Sequence, residues 1–152
     1  MFDGVELCAS TFDATPIRSR EPVWDADIGE GYDLIWSGSL LTHLPEEAWD
    51  PTLRHLASAL APGGVIVFTT HGRLALAFLR NEPAATAHLG AWLPARYGLT
   101  GSTAEAVAAS AERRGFGYAA YPGAEKRADG LSISLGDWVE RLLASTRLDV
   151  CC

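Results

Sequence analysis

Two histidines, His43 and His71, follow the two segments of this chain that look most like buried strands. The first segment centres on Leu34, Ile35 and Trp36, and the second is 65–68. An imidazole exchanges a proton near neutral pH and can orient a substrate through a hydrogen bond. We therefore predict a site at which either histidine acts as a base or as a donor that orients an acceptor.

The elements that must position these histidines form a strand–helix–strand unit over residues 32–72. Asp50 and Pro51 fit the N-cap and first residue of a helix, and 62–64 (Pro-Gly-Gly) is expected to end that helix. Such units build parallel α/β sheets, whose strands are buried on both faces. Functional groups gather past the carboxyl ends of these strands, here at 37–39 and 70–72.

Each histidine also has a purely structural interpretation. His43 fits a ring that bonds nearby backbone, and this is the interpretation that we favour for it. His71 fits a structural role and a catalytic role equally well, because Thr70, His71 and Gly72 lie directly at the end of the second strand.

Weaker patterns predict the remaining elements. Apolar spacing predicts a helix over 3–13. Residues 15–20 are a candidate strand, and Pro16 would restrict it to the edge of a sheet. The other predicted elements are helices at 74–79, 103–114 (capped by Thr103) and 135–144, an aromatic segment at 116–121, and strands at 131–134 and 148–152.

Composition restricts the class of protein. The 152 residues fit one domain, and the net charge of −7 argues against a nucleic-acid partner. No apolar run is long enough for a membrane span, and the start of the chain does not resemble a signal peptide. The three cysteines form no CxxC pair and have no histidine at metal-ligand spacing, so we predict reduced thiols, no metal site and a cytoplasmic location.

Three motifs fall in order between Tyr32 and Gly72: Tyr-Asp-Leu-Ile at 32–35, Leu-Thr-His-Leu at 41–44 and Leu-Ala-Pro-Gly-Gly at 60–64. Together they resemble the central part of class I S-adenosylmethionine-dependent methyltransferases of the type 11/12 kind. The resemblance implies a Rossmann-like α/β fold and makes 1–152 a single partial domain. It assigns 15–20 to the family's third strand, 32–72 to the fourth and fifth, and 73–130 to an acceptor-side insertion.

The same resemblance implies a set of cofactor-binding residues. Ser37 and Gly38 would lie against S-adenosylmethionine at the end of the fourth strand, although Gly38 also fits a simple tight turn. Ser19 and Glu21 would lie near the adenine, although solvated loop residues are the alternative. The family's glycine-rich loop and its ribose-binding acidic residue have no counterpart in this sequence.

The resemblance therefore predicts a domain clipped at both ends, in which the fourth strand has an open edge. We expect poor stability, self-association through that edge, or insertion of 15–20 beside the fourth strand. The implied function, in complete form, is methyl transfer to an unidentified small molecule. The alternative is a non-catalytic remnant or interaction module that keeps the α/β scaffold and binds no cofactor.

Overall fold

The computed structural model of this chain describes residues 4–80, 82, 99, 101–124, 129–146 and 148–149. The helices and strands in chain order are α1 (Gly4–Phe12), β1 (Tyr32–Ser37), α2 (Glu46–Ser58), β2 (Leu60–Phe68), α3 (Arg73–Leu79), α4 (Ser102–Arg114), β3 (Phe116–Ala120), β4 (Gly130–Ser134) and α5 (Gly136–Ala144). Two 3₁₀ helices, Val23–Asp25 and Leu41–His43, flank β1. The fold is mixed α/β, and the described residues contain one parallel and one antiparallel sheet of two strands each.

The predicted strand–helix–strand unit is confirmed. β1 and β2 pair in parallel, with Leu34 opposite Val65 and Ser37 opposite Phe68. α2 connects them and buries Trp49 and Leu53 completely. Trp49 meets the ring of Phe68 edge-on, so α2 covers the sheet face to which Phe68 belongs.

The predicted start of α2 is wrong. The helix begins at Glu46, four residues before Asp50, and Pro45 is its N-cap residue. The positive helix N-terminus favours the carboxylates of Glu46 and Glu47 in the first turn. Pro51 lies inside the helix, where its missing N–H costs one early hydrogen bond without ending the element.

The predicted role of Pro62, Gly63 and Gly64 is also wrong, because they lie inside β2 and do not end α2. Tyr32 pairs with Leu60 while Leu34 already pairs with Val65, so β2 contains an irregular loop of extra residues. Gly63 has a φ of +82°, and a Cβ on Gly64 would stand 2.6 Å from the carbonyl oxygen of Tyr32. The glycines allow this bulge, and the regular part of the strand is 65–68, as predicted.

The second half of the fold is an antiparallel hairpin with helices around it. β3 pairs with β4, and the helices predicted over 74–79, 103–114 and 135–144 are confirmed as α3, α4 and α5 with small shifts. Gly101, not Thr103, is the N-cap residue of α4. One apolar core joins α3, α4 and β4. A second core joins α2 to β3 and α5 through Trp49, whose ring meets those of Phe116 and Trp138.

One face of the parallel sheet is exposed. The apolar side chains on it are exposed, and we call this surface the open sheet face (Tyr32, Leu34, Trp36, Val65 and Val67). Leu34 is 62% and Trp36 66% exposed. The expectation that β1 is buried on both faces is therefore wrong, because α2 covers only the opposite face.

The predicted edge strand at 15–20 is absent. Residues 14–20 are irregular and exposed, and among the strands that the structure describes β1 pairs only with β2. The expectation that 15–20 inserts beside β1 is thus wrong. Its sequence holds Ile17 as a lone large apolar residue, and Pro16 donates no hydrogen bond to a neighbouring strand.

The two ends of the chain differ in how well they match the predicted elements. The first helix is confirmed as α1, but it packs little, and Phe12 is 74% exposed. Leu148 and Asp149 are irregular, and the rest of the strand predicted at 148–152 lies outside the described residues. The assignment of 73–130 to an acceptor-side insertion stays a prediction. Within the described ranges, no helix has both the length and the apolar character that a membrane span requires.

Candidate functional site

The loops that follow β1 and β2 lie side by side, as the parallel pairing requires. The Thr69 N–H donates to the carbonyl oxygen of Ser37 at 3.2 Å, which extends the sheet pairing by one bond. The Ser39 N–H donates to Oγ1 of Thr69 at 2.7 Å. One threonine therefore fixes the spacing between the two predicted site segments.

Ser39 has a φ of +59°, a left-handed conformation that costs a non-glycine residue about 1 kcal/mol. Its N–H bond to Thr69 and the bond that its carbonyl accepts from Oγ1 of Thr42, at 3.0 Å, hold that conformation. The chain then turns into the 3₁₀ helix Leu41–His43, which ends on one of the two predicted histidines.

β4 brings the two histidines together. Nδ1 of His43 lies 3.0 Å from the carbonyl oxygen of Gly130 and 2.7 Å from the hydroxyl oxygen of Tyr121. Nδ1 of His71 lies 3.3 Å from the carbonyl oxygen of Ser132, two residues further along β4. The expectation that both histidines meet at the strand ends agrees with this geometry.

A second hydrogen bond holds the main chain of His71: the Ser134 N–H donates to the carbonyl oxygen of His71 at 2.9 Å. The Ser132 hydroxyl donates to the carbonyl oxygen of Leu41 at 3.1 Å, which ties β4 to the loop that carries His43. β4 thus acts as a bridge between the loop after β1 and the loop after β2.

The hydrogen bond to Ser132 determines how the ring of His71 is protonated. A carbonyl oxygen only accepts, so Nδ1 of His71 carries the proton that it donates to Ser132, and Nε2 is the basic atom of the neutral ring. The argument does not carry over to His43, because its Nδ1 also contacts the hydroxyl of Tyr121, and a hydroxyl can either donate or accept.

The environment of His71 favours the neutral ring. Burial lowers the pKa of His71 below its ordinary value, the hydrogen bond to Ser132 partly offsets this, and the neighbouring His43 lowers it further. A neutral imidazole with a free basic nitrogen is the form that a general base requires.

Ser37 and Gly38 lie at the predicted strand end. Ser37 is buried, and its hydroxyl has no hydrogen-bond partner in the part of the chain that the structure describes. A Cβ on Gly38 would stand 2.8 Å from Nε1 of Trp36, so the indole lies against the position where the resemblance places a cofactor. The close approach of Trp36 explains a glycine at this position, and the predicted contact of Gly38 with a cofactor stays a prediction.

Ser19 and Glu21 do not reach the end of a strand. Ser19 belongs to the irregular exposed stretch, and Glu21 to the bend that follows it. The third strand that would carry them to the sheet is absent from the described residues, so the geometry gives their predicted contact with adenine no support. Both side chains are exposed, as solvated loop residues are.

Sequence patterns missed the partners on β4. Ser132 and Ser134 are buried polar residues in a five-residue strand whose five residues are all buried, and nothing in a short Gly-Leu-Ser-Ile-Ser segment signals this. Tyr121 ends the predicted aromatic segment 116–121, and that pattern gives no reason to expect a contact with His43. Only the closure of the hairpin brings its hydroxyl to His43.

A separate open cavity of about 1220 Å³ runs along β2, between α2 and α5. Thr70 lines its end, but neither histidine does, so we do not count it as part of the histidine site. Across the described residues, no three His, Cys, Asp or Glu side chains are grouped so that they could hold a metal ion.

Known proteins offer no assignment for this arrangement. No family model, no curated protein and no solved structure matches the chain. The resemblance to methyltransferases therefore rests on the motifs within 32–72 alone.

Proposed function

We propose that this chain carries the acceptor side of an S-adenosylmethionine-dependent methyltransferase site and acts on a small molecule in the cytoplasm. The observation that carries the proposal is the convergence of His43 and His71 on β4, at the carboxyl ends of a parallel strand pair. The sequence motifs supply the class of reaction, and the histidine pair supplies its proton chemistry.

The chemical task of the chain is to prepare the acceptor. When bound, S-adenosylmethionine supplies an activated methyl group, and a poor nucleophile such as a hydroxyl then needs a base to remove its proton. Ser132 holds Nδ1 of His71, which leaves Nε2 to take that proton. The carbonyl oxygen of Gly130 holds the ring of His43, and that ring orients the acceptor beside His71.

The four residues predicted to bind the cofactor fit it only in part. The buried hydroxyl of Ser37 needs a partner and lies at the expected strand end. Ser19 and Glu21 are exposed elsewhere, and Trp36 covers Gly38. Within the described residues this set forms one wall of a pocket at most, so donor binding is the step to test first.

Calorimetry with S-adenosylmethionine and S-adenosylhomocysteine provides that test. Micromolar binding of either compound supports the proposal, and Ser37→Ala should then weaken it. If the folded chain binds neither compound at millimolar concentration, the methyltransferase proposal is wrong.

The histidine roles need a rate measurement. In a donor-binding chain supplied with a panel of small phenols and amines, His71→Asn should lower methyl transfer about 10²–10⁴-fold, the usual contribution of a general base. The asparagine amide still donates to Ser132, so the change removes the basic atom and keeps the hydrogen bond. His55→Asn, on α2, is the control and should leave the rate unchanged.

The second candidate function is an interaction module that keeps the α/β scaffold without cofactor binding. The open sheet face favours it, because parallel sheets are normally covered on both faces. A folded chain that binds no donor but associates through this face would support the module.

A further inference from the structure

The open sheet face is a large apolar surface. Its five side chains are 39–66% exposed. A large side chain has a surface of about 150–250 Å², so together they expose on the order of 400 Å². This is about the size of the largest apolar patch on a typical soluble protein, a patch that is often functional. A parallel sheet normally meets helices on such a face.

α1 carries a second apolar surface that needs cover. Cys8, Ala9 and Phe12 lie on one side of the helix, because Phe12 is three residues after Ala9 and four after Cys8. Cys8 and Phe12 are exposed, and Ala9 is half-buried. Among the described residues, no helix therefore packs on this sheet face and no strand packs on this face of α1.

The connection between α1 and the body of the protein starts on the far side of the sheet. Trp24 packs against the core that contains Trp49, on the face that α2 covers. Within one chain α1 does not cover the open sheet face, because Phe12 on the helix and Leu34 and Trp36 on the sheet are all exposed. In a two-fold dimer, each α1 can meet the sheet of the other copy.

We propose that two copies of this chain form a reciprocal dimer in which α1 of each copy covers the open sheet face of the other. The sheet face and the helix face together bury on the order of 600 Å² of apolar surface on each copy. A standard interface buries about 800 Å² per partner, so the rim needs to add little. The occupant of the face is a second copy because one chain carries both complementary surfaces.

Sedimentation equilibrium of the full chain tests the stoichiometry, and variants of α1 test the contact. The wild-type chain sediments as a dimer, and Phe12→Glu should weaken the dimer at least tenfold. Leu7→Glu is the matched control, because Leu7 lies about 140° around the same helix from Phe12 and is also exposed. A monomeric wild-type chain, or equal effects of the two variants, would overturn the proposal.

A charge exchange tests whether the two surfaces meet. Val67→Lys on the open sheet face should also weaken the dimer, and mixing this variant with Phe12→Glu should restore association. The restored pairs join the introduced ammonium of one copy to the introduced carboxylate of the other. Circular dichroism of each variant checks that the fold is kept, and mixing without any recovery argues against the contact.

Cross-linking distinguishes a second copy from the same chain. The chain with Cys151→Ser, Cys152→Ser and Val67→Cys keeps Cys8 on α1, so that oxidation reports on that contact. When two differently tagged copies are mixed and oxidised, Cys8 of one copy should form a disulfide with the thiol introduced at position 67 of the other copy. A cross-link found only within one chain shows that α1 covers its own sheet, and no cross-link at all shows that α1 is not the occupant; either result overturns the proposal.

Discussion

β1 and β4 contrast sharply in composition and burial. β1 has the more apolar sequence, yet Leu34 and Trp36 are exposed. β4 contains two serines, yet all five of its residues are buried. The difference shows that an apolar sequence makes a strand suitable for burial, whereas the helices packed around it decide whether it is buried.

The largest expected effect comes from making the same substitution in both strands. Leu131→Ala removes a side chain that is 0% exposed and should lower the free energy of unfolding by about 2–5 kcal/mol, because it leaves a cavity in the core. Leu34→Ala should change it by no more than about 0.5 kcal/mol, as exposed substitutions do. Urea denaturation of dilute protein measures both.

Repeating the two leucine substitutions at several protein concentrations tests whether Leu34 becomes buried on association. If α1 of a second copy covers Leu34, the cost of Leu34→Ala should grow as the chain concentration rises, whereas that of Leu131→Ala should not. Equal costs for the two leucines in dilute protein would contradict the contrast in burial between β1 and β4.

Much of the local fold could be predicted, since local apolar patterns place β1, the regular part of β2 and the helices α1, α3, α4 and α5 within a few residues of their observed bounds. The errors arose where partners distant in sequence decide the outcome. Pro62–Gly64 looks like a helix stop, but α2 ends earlier and the glycines serve a bulge against Tyr32. The segment 15–20 could have formed a strand only beside a neighbour that accepted it.

The position of the candidate site could be predicted, but the contacts that support it could not. The parallel pairing of β1 and β2 puts His43 and His71 on adjacent loops, which is where functional groups gather in parallel sheets. Their hydrogen bonds go to backbone carbonyls of Gly130 and Ser132, and every residue carries a carbonyl, so no side-chain pattern could single out these two.

The two serines of β4 give a smaller and more precise comparison. Ser132→Ala removes the hydroxyl that donates to the carbonyl oxygen of Leu41 and should cost about 0.5–1.5 kcal/mol, the net contribution of one hydrogen bond, because that oxygen still accepts from the Leu44 N–H. Ser134→Ala removes a buried hydroxyl for which the described residues offer no partner, so it should be neutral or stabilising. Thermal unfolding monitored by circular dichroism separates them, and a larger loss for Ser134→Ala would contradict this bonding pattern.

The smallest effect is the pH dependence contributed by His71. Because burial lowers its pKa in the folded chain, the unfolded chain binds more protons below the ordinary histidine pKa of about 6.5. The stability that neutral His71 contributes is therefore complete above pH 6.5 and is lost as the pH falls through the lowered pKa. His71→Asn should flatten this part of the stability profile, whereas His55→Asn should leave the loss due to His71 in place. Proton NMR of the imidazole should give a midpoint for His71 below 6.5, and a midpoint above it would show that the ring is not held neutral by burial against β4.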